Sequence, residues 1–326
     1  MDILIKDMNI DVSIVIVCMN NLKNLYPCLE SIKKYTTVSY ETLVVAYLFS
    51  KENLEKVKKD FPWVTFIESN EIRGFSENNN LALRQAKGKY CFVLNDDTEM
   101  KMDVVGGLVE SFAKCPENTA IVSPSILNYK GEVAVCGRPK YTTLDFILGT
   151  FHMRRTSKER QYTNQEGLFQ SYNILGAAFL IKTDIFREHD WFDEYYFFCP
   201  EDIALSTDLN NNGHCCYVNA DVKIIHYEGM SNKSTSMIQT ATWPASRQGS
   251  VRFYSKNRKH MEFFLRLVSF VGIGLNFIVH RIKGLMLPRP NQYYVMSIGD
   301  LNIVKTSFSR LTPKEIFIKY YNKIKK

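Results

Sequence analysis

The sequence predicts an α/β fold: a mostly parallel central sheet flanked by helices, followed by a helical C-terminal region. Three observations carry the prediction. Apolar, β-branched runs alternate with segments of helical spacing from Val12 to Leu94, the order that builds a parallel sheet. The runs are apolar at nearly every position rather than every second one, as strands covered on both faces are. One run, "YCFVLNDDTEM" at 90–100, stops abruptly in Asn95, Asp96 and Asp97. Ligands of open α/β sheets bind beyond the carboxyl ends of the strands, so these acids are expected beside a ligand and not in the core.

Each element follows in order. "VSIVIVCMN" (12–20) suits a buried strand, and Leu22, Leu25, Leu29 and Ile32 then recur at helical spacing. Pro27 fits that helix only in its first turn. "ETLVVAYL" reads as a second strand, "KENLEKVKKDF" as a helix and "WVTFIE" as a third strand. "GFSENNNLALRQAKG" (74–88) reads as a helix with Ser76 as N-cap and Gly88 as its stop. Beyond residue 100, "VVGGLVESFA" is a helix and "AIVSPSIL" a strand. Residues 128–172 are irregular and polar, the mark of a functional or mobile loop. Order returns with "NILGAAFLIKTDIF", strand then helix, with "PEDIALSTDLNNNG", a helix ended by Gly213, and with "CCYVNADVKIIH", a strand ending at His226.

Composition bounds the function. At 326 residues, 45% hydrophobic and 23% charged, the chain is long enough for one large domain or two modest ones with a substantial core. A net charge of +7 favours anionic partners such as nucleotides, phosphates or lipid headgroups without choosing among them. Eight scattered cysteines include one adjacent pair, Cys215 and Cys216, and no CxxC. They are expected as reduced thiols of a cytosolic protein, and zinc is not expected. "MDILIKDMN" lacks the basic and apolar regions of a secretory signal. No nucleic-acid module is present, and aromatics do not interleave with the basic cluster. "VCMNNLKNL" stands where a dinucleotide oxidoreductase would carry GxGxxG.

Three sites of acid or imidazole fall at element ends: Asp96/Asp97, Glu201/Asp202 and His226. Singly each has an ordinary structural explanation: a turn or cap for the first, helix-dipole complementation for the second, a hydrogen-bonded structural histidine for the third. Together, with "VSIVIVCMNN", "RGFSENNNLALRQAKGKYCFVLNDDTEM", "ILGAAFLIKTDIF", "WFDEYYFFCPEDIALSTDLNNNGHCCYVNADVKIIHYEGMS" and "RQGSVRFYSKNRKH" in that order over most of residues 11–260, they resemble an inverting glycosyltransferase of family 2 with a GT-A fold, of the rhamnosyltransferase-like branch.

The resemblance implies a set of roles. The family's Asp-x-Asp motif, whose first position is often Asn in this branch, corresponds to Asn95, Asp96 and Asp97. Asp97 then ligates a divalent metal, Mn²⁺ or Mg²⁺, and Asp96 contacts the donor's sugar or ribose. A leaving diphosphate needs its growing charge neutralised. His226 matches the histidine that completes the metal or diphosphate site, and imidazole suits Mn²⁺ better than Mg²⁺. Asp202 matches the general base, with Glu201 in support or positioning the acceptor. Asn20, Arg73, Gly74, Asn79 and Asn80 match positions lining the nucleotide, and Gly176 and Ala177 a small-residue turn beside the donor sugar. One departure stands out: "VVAYLFSKEN" puts Ala46 and Tyr47 where relatives end the second strand in Asp, which weakens any inference about the base that is read.

The implied partners are a UDP-, dTDP- or GDP-linked sugar and a saccharide acceptor, lipid-linked, in bacterial surface polysaccharide assembly. The expected location is the cytoplasm, at the inner face of the cell membrane. The alternative is a catalytically idle relative that binds or scaffolds. The expected division is a catalytic domain at 1–240, with a nucleotide-binding half at about 11–100 and an acceptor half at about 101–240, and a basic helical region at 241–326. Within the latter, the longest uncharged run, 267–279, is short of the ~20 residues a span needs. The 261–290 segment is therefore expected either to lie in a membrane surface or to pack on the main domain or a second subunit. Arg247, Arg252, Lys256 and Arg258 are expected to meet phosphates or to form a solvated face.

Overall fold

A computed structural model describes residues 10–153, 161–227, 236–288 and 291–324. The chain start, Glu228 to Ser231 of the quoted motif, Arg289 and Pro290 of the 261–290 segment and the final two lysines lie outside the described residues.

The first half alternates strand and helix as expected: β1 (Val12–Cys18), α1 (Leu22–Tyr35), β2 (Tyr40–Tyr47), α2 (Lys51–Asp60), β3 (Thr65–Ser69), α3 (Phe75–Leu83) and β4 (Tyr90–Asn95). Then come β5 (Thr98–Met100), α4 (Val104–Phe112), β6 (Thr119–Leu127), β7 (Val133–Val135), α5 (Thr143–Thr150), β8 (Leu168–Ser171), β9 (Ala178–Lys182), α6 (Thr183–Glu188), α7 (Glu201–Asn211) and β10 (Cys215–His226). The sheet runs β3-β2-β1-β4-β9-β6-β10-β5, with β7 on β6 and β8 on β10. β3, β2, β1 and β4 are parallel, as are β6 and β10. β9 runs antiparallel between β4 and β6, so the second half of the sheet is mixed. The fully buried Ile14, Ile16, Phe92 and Leu94 form one face of the core, and Val15, Cys91, Val93 and Phe179 the other.

Several local expectations are corrected. Pro27 lies inside α1, past its first turn. Losing one helical hydrogen bond there costs about 3 kcal/mol, which the burial of Leu25, Leu29 and Ile32, at about 1.5–3 kcal/mol each, outweighs. The cap of α3 is Gly74, not Ser76. The Glu77 carboxylate reaches back to accept from the Gly74 N–H (3.0 Å), while Ser76 is buried. Gly88 does not end α3, which stops at Leu83. It lets the chain pass β1, where a Cβ would stand 2.4 Å from the Ser13 nitrogen. The 128–172 stretch is not all irregular, since it holds β7, α5 and β8.

Four helices follow: α8 (Gln239–Ser255), α9 (Lys259–Met286), α10 (Gln292–Thr306) and α11 (Pro313–Ile324). They are not a loose tail. Ile316, Phe317 and Tyr320 of α11 are buried with Ala241 and Ala245 of α8 against Phe197, and Lys314 pairs with Glu77 at the start of α3 (2.6 Å). The basic stretch is split by its environments. Arg247 is half-buried, stacked 4.0 Å from the Phe146 ring centre and bonded to Thr150 (2.6 Å) and Ser269 (2.9 Å). Arg258 is exposed. α9 is 28 residues long and apolar enough to cross a membrane by length and composition. The short uncharged run alone therefore does not exclude a span.

Candidate active site

Strand direction builds the site. β1, β4, β6 and β10 all point the same way, and β9 enters where β4 ends. Their carboxyl ends bring Cys18, Asn95 and His226 to one edge of the sheet, together with the Gly176–Ala177 turn that leads into β9. The short β5 then turns back along β10 and pairs Thr98 with His226. That register, reinforced by the Tyr227 N–H on the Asp97 carbonyl (2.9 Å), sets the His226 Nε2 atom 3.0 Å from Asp97 Oδ1 and 3.4 Å from Asn95 Nδ2. β5 was not foreseen, because three residues are too few for a periodic signal.

Asp96 lies near the Cys18 thiol, which lowers its pKa by hydrogen bonding and also donates to the Asn21 carbonyl (3.6 Å). Burial, opposed by that hydrogen bond and reinforced by neighbouring Asp97, pushes the Asp96 carboxyl up to about 6. Among the described residues no group of three or more His, Cys, Asp or Glu side chains is assembled to hold a metal. The Asp97–His226 pair nonetheless fits a hard-to-borderline cation. A carboxylate oxygen and an imidazole nitrogen 3.0 Å apart are donor types that such a cation accepts, and the pair would hold it with its charge set against the leaving diphosphate.

The second carboxylate centre starts α7. Asp202 Oδ2 accepts from Arg138 Nη1 (2.9 Å) and from the Gly176 N–H (3.0 Å), and Oδ1 accepts from the Ile203 N–H (2.8 Å). A Cβ on Gly176 would stand 3.2 Å from the Asp202 Cβ, so a small residue is what allows this approach. Glu201 is buried, with Oε2 lacking a hydrogen-bond partner. Burial, then the adjacent Asp202 charge, pushes its carboxyl up to about 8. The pair is thus divided in role by environment: Asp202 is ion-paired, and Glu201 holds its proton at neutral pH. Arg138 was missed by sequence reasoning. It lies in the stretch that reads as irregular, and only its bridge to Asn173 carries it to α7.

Asn95, at the end of β4, and Asp202 are joined through the Gly176–Ala177 turn. The Asn95 N–H donates to the Ala177 carbonyl (2.9 Å), and the Gly176 N–H donates to Asp202. Asn20, with φ of 49° at the end of β1, accepts from the Ser50 N–H (3.2 Å) and Asn53 (2.9 Å) at the start of α2. The Arg73 N–H donates to Tyr47 Oη (3.3 Å), and its guanidinium reaches Ser69 and Glu71. Tyr47 therefore positions the loop where relatives' acid is missing. Asn79 and Asn80 are buried away from this group. Asn79 donates to the Phe75 carbonyl (2.9 Å), while Asn80 donates to Phe192 O and Glu194 (2.9 Å each) and accepts from the Phe192 N–H. Both brace the fold from inside. The unforeseen Asn78 ties Ser69 to the Arg73 and Gly74 carbonyls. A cavity of about 440 Å³ between the far end of α7, the end of α8 and the 140–144 segment holds none of the expected catalytic, donor-binding or metal residues, but Arg252 and Lys256 of the basic stretch line it.

Comparison with known proteins gives three findings. The family model "Glycosyl transferase family 2" matches residues 13–189, more than half of the chain. Among curated proteins no match is found. Solved structures similar to the chain include GalNAc-T7 with UDP, GalNAc and Mn²⁺ (TM-score 0.54, 17% identity, covering 70% of this chain and 46% of that one). They also include TarS 1–349 of S. aureus (0.53, 14%, 97% and 90%) and the mannosyltransferase PcManGT from Pyrobaculum calidifontis with GDP-Man and Mn²⁺ (0.52, 15%, 97% and 87%). The chain spans less than half of the GalNAc-T7 chain. At these identities the likenesses establish the fold, which is GT-A.

Proposed function

The chain belongs to glycosyl transferase family 2, and from that membership we propose that it moves a hexosyl or deoxyhexosyl unit from a UDP-, dTDP- or GDP-linked donor to a saccharide acceptor, inverting the anomeric carbon. One observation carries the reading: Asn95, which borders the Asp97–His226 pair, and a separate carboxylate, Asp202, are bonded to the two residues of one small-residue turn. Asp97 and His226 would hold a divalent cation, Mn²⁺ in preference to Mg²⁺ because of the imidazole. When bound, it neutralises the charge of the leaving diphosphate. Asp96 accepts from donor hydroxyls, and Gly176 and Ala177 leave room for the donor sugar.

Asp202 is the base. Its Oδ1 takes the acceptor hydroxyl proton as that oxygen attacks the anomeric carbon on the face opposite the diphosphate. The new C–O bond forms as the bond to the phosphate oxygen breaks, and the nucleoside diphosphate leaves. Arg138 and the Gly176 N–H fix Oδ2, so the carboxylate presents one oxygen. A lipid-linked acceptor of bacterial surface polysaccharide, met at the cytoplasmic face of the membrane, agrees with the rhamnosyltransferase-like motifs of the sequence.

Thermal shift with UDP, GDP and dTDP, with and without Mn²⁺, should reveal metal-dependent stabilisation by one of them. Mass spectrometry with nucleotide sugars then identifies the donor. Asp202→Asn should lower transfer by about 10²–10⁴-fold and spare donor binding, and an equal loss of both would remove it as base. Asp97→Ala should abolish the Mn²⁺-dependent part of nucleotide binding, and unchanged dependence would reject its role. Nucleotide binding without transfer or donor hydrolysis by the parent protein would identify an idle relative.

A further inference from the structure

We propose that α9 is an in-plane anchor, laying its outward face into the surface of an anionic lipid bilayer. The helix is inverted relative to the surface helix of a soluble protein. Its polar groups face the protein. Arg266 donates to the Ser307 (2.9 Å) and Ser309 (3.0 Å) carbonyls, and Ser269 accepts from Arg247 (2.9 Å). Asn276 meets His152 (3.2 Å), and His280 meets Asp300 (2.7 Å). Its outward face is mostly apolar: Phe263, Leu267, Phe270, Leu275, Ile278 and Leu285 are all exposed. At about 100° per residue they fall in one stripe. Exposed Phe308, between α10 and α11, extends the stripe, its ring 5.9 Å from Phe263 and 5.8 Å from Phe270. A soluble monomer rarely leaves so long an apolar face to water.

Charge selects lipid over protein. Exposed Arg281 and Lys283 lie near the C-terminal end of the helix, and exposed Arg258, Lys259 and His260 cluster at its start. The acid within α9, Glu262, is bonded to Arg266 (2.6 Å). Cations at both ends of an apolar stripe complement anionic headgroups, whereas a second copy of this chain would bring the same cations against these.

Packing selects in-plane over spanning. The helix is about 42 Å long, ample for a hydrocarbon core of about 30 Å, yet its inner face is fastened. A Cβ on Gly272 would stand 2.6 Å from Thr150, and one on Gly284 3.0 Å from the Tyr294 nitrogen. Standing upright would carry Arg266, the His280–Asp300 pair and the backbone of neighbouring segments into hydrocarbon.

The test is flotation of the full chain with vesicles of phosphatidylcholine, with and without phosphatidylglycerol. Binding should be about tenfold tighter with the anionic lipid. Leu275→Glu with Ile278→Glu should abolish it while keeping the melting temperature and sugar transfer to a soluble acceptor. Arg281→Gln with Lys283→Gln should remove the anionic preference alone. Phe263→Trp, Leu275→Trp and Leu285→Trp, each in vesicles carrying bromine high or low on the acyl chain, should all be quenched by the shallow label. Deep quenching at Leu275→Trp with shallow quenching at the other two would overturn the in-plane geometry in favour of a span. The anchor is lost altogether if the parent does not float, if the double glutamate variant floats as well as the parent, or if that variant splits a dimer. Loss of transfer in the parent itself would bear on the reaction and not on α9.

Discussion

Glu201 and Asp202 are adjacent in sequence, yet the fold gives them opposite tasks, and two predictions follow at this scale. Burial raises Glu201 from its ordinary value to about 8, so the folded state holds a proton that the unfolded chain has released. That contribution to stability is fully present below the unfolded value of about 4.3 and is lost as pH rises through about 8. Glu201→Gln should therefore gain on the wild type, by an order of a few kcal/mol, as urea unfolding is repeated from about pH 5 to about pH 9. A flat difference would mean that Glu201 is already ionised in the fold. Arg138→Gln leaves the Asp202 anion buried without its partner and should cost about 3 kcal/mol. Adding Asp202→Asn should recover much of that loss. A double-mutant cycle measures this, and simple additivity would show that the ion pair is not what Arg138 contributes.

At the scale of elements, the helices and strands were legible wherever a period ran long enough: β1, β2, β4, α1 and α7 are where the apolar patterns put them. Boundaries were misjudged where a residue answers to a distant neighbour. Gly88 reads as a helix stop, but its missing side chain serves β1, and Gly74 likewise serves Phe197, whose carbonyl a Cβ would approach to 2.4 Å. Sequence spacing cannot display such contacts. Gly74→Ala and Gly88→Ala should each lower stability by about 1–3 kcal/mol. Gly149→Ala, in α5 with open space around it, should raise it by up to about 1 kcal/mol. Thermal melts of the three variants check this, and equal effects at all three would contradict the packing account.

For the whole molecule, the C-terminal helices do two jobs at once. α9 turns an apolar face outward, while α11 returns to cover Phe197, its Phe317 ring 4.5 Å away. Phe197 also accepts the Phe75 N–H at the start of α3 (2.9 Å), so α11 supports the loop that carries Arg73 and Gly74. A chain cut after Arg258 should lose on the order of 5 kcal/mol from the uncovered Ile316, Phe317 and Tyr320 contacts and melt earlier. An unchanged melting temperature would make the helices separable. This is also why point substitutions on α9, and not truncation, report membrane contact cleanly.

By itself the sequence determined that the first half of this chain forms a parallel α/β sheet whose fourth strand ends in acids, because strand and helix periods and the abrupt change from apolar to charged residues are local properties. Its motifs, through a family resemblance, also single out Asp97, His226 and Asp202 as the expected site residues. Only the tertiary structure decided that β5 folds back to set His226 on Asp97, that Arg138 holds Asp202, that Asn80 braces the 192–194 segment and that α9 turns its oily side out. The reason is physical. Each of these depends on which groups lose water together, and chain segments distant in sequence settle that only when they meet.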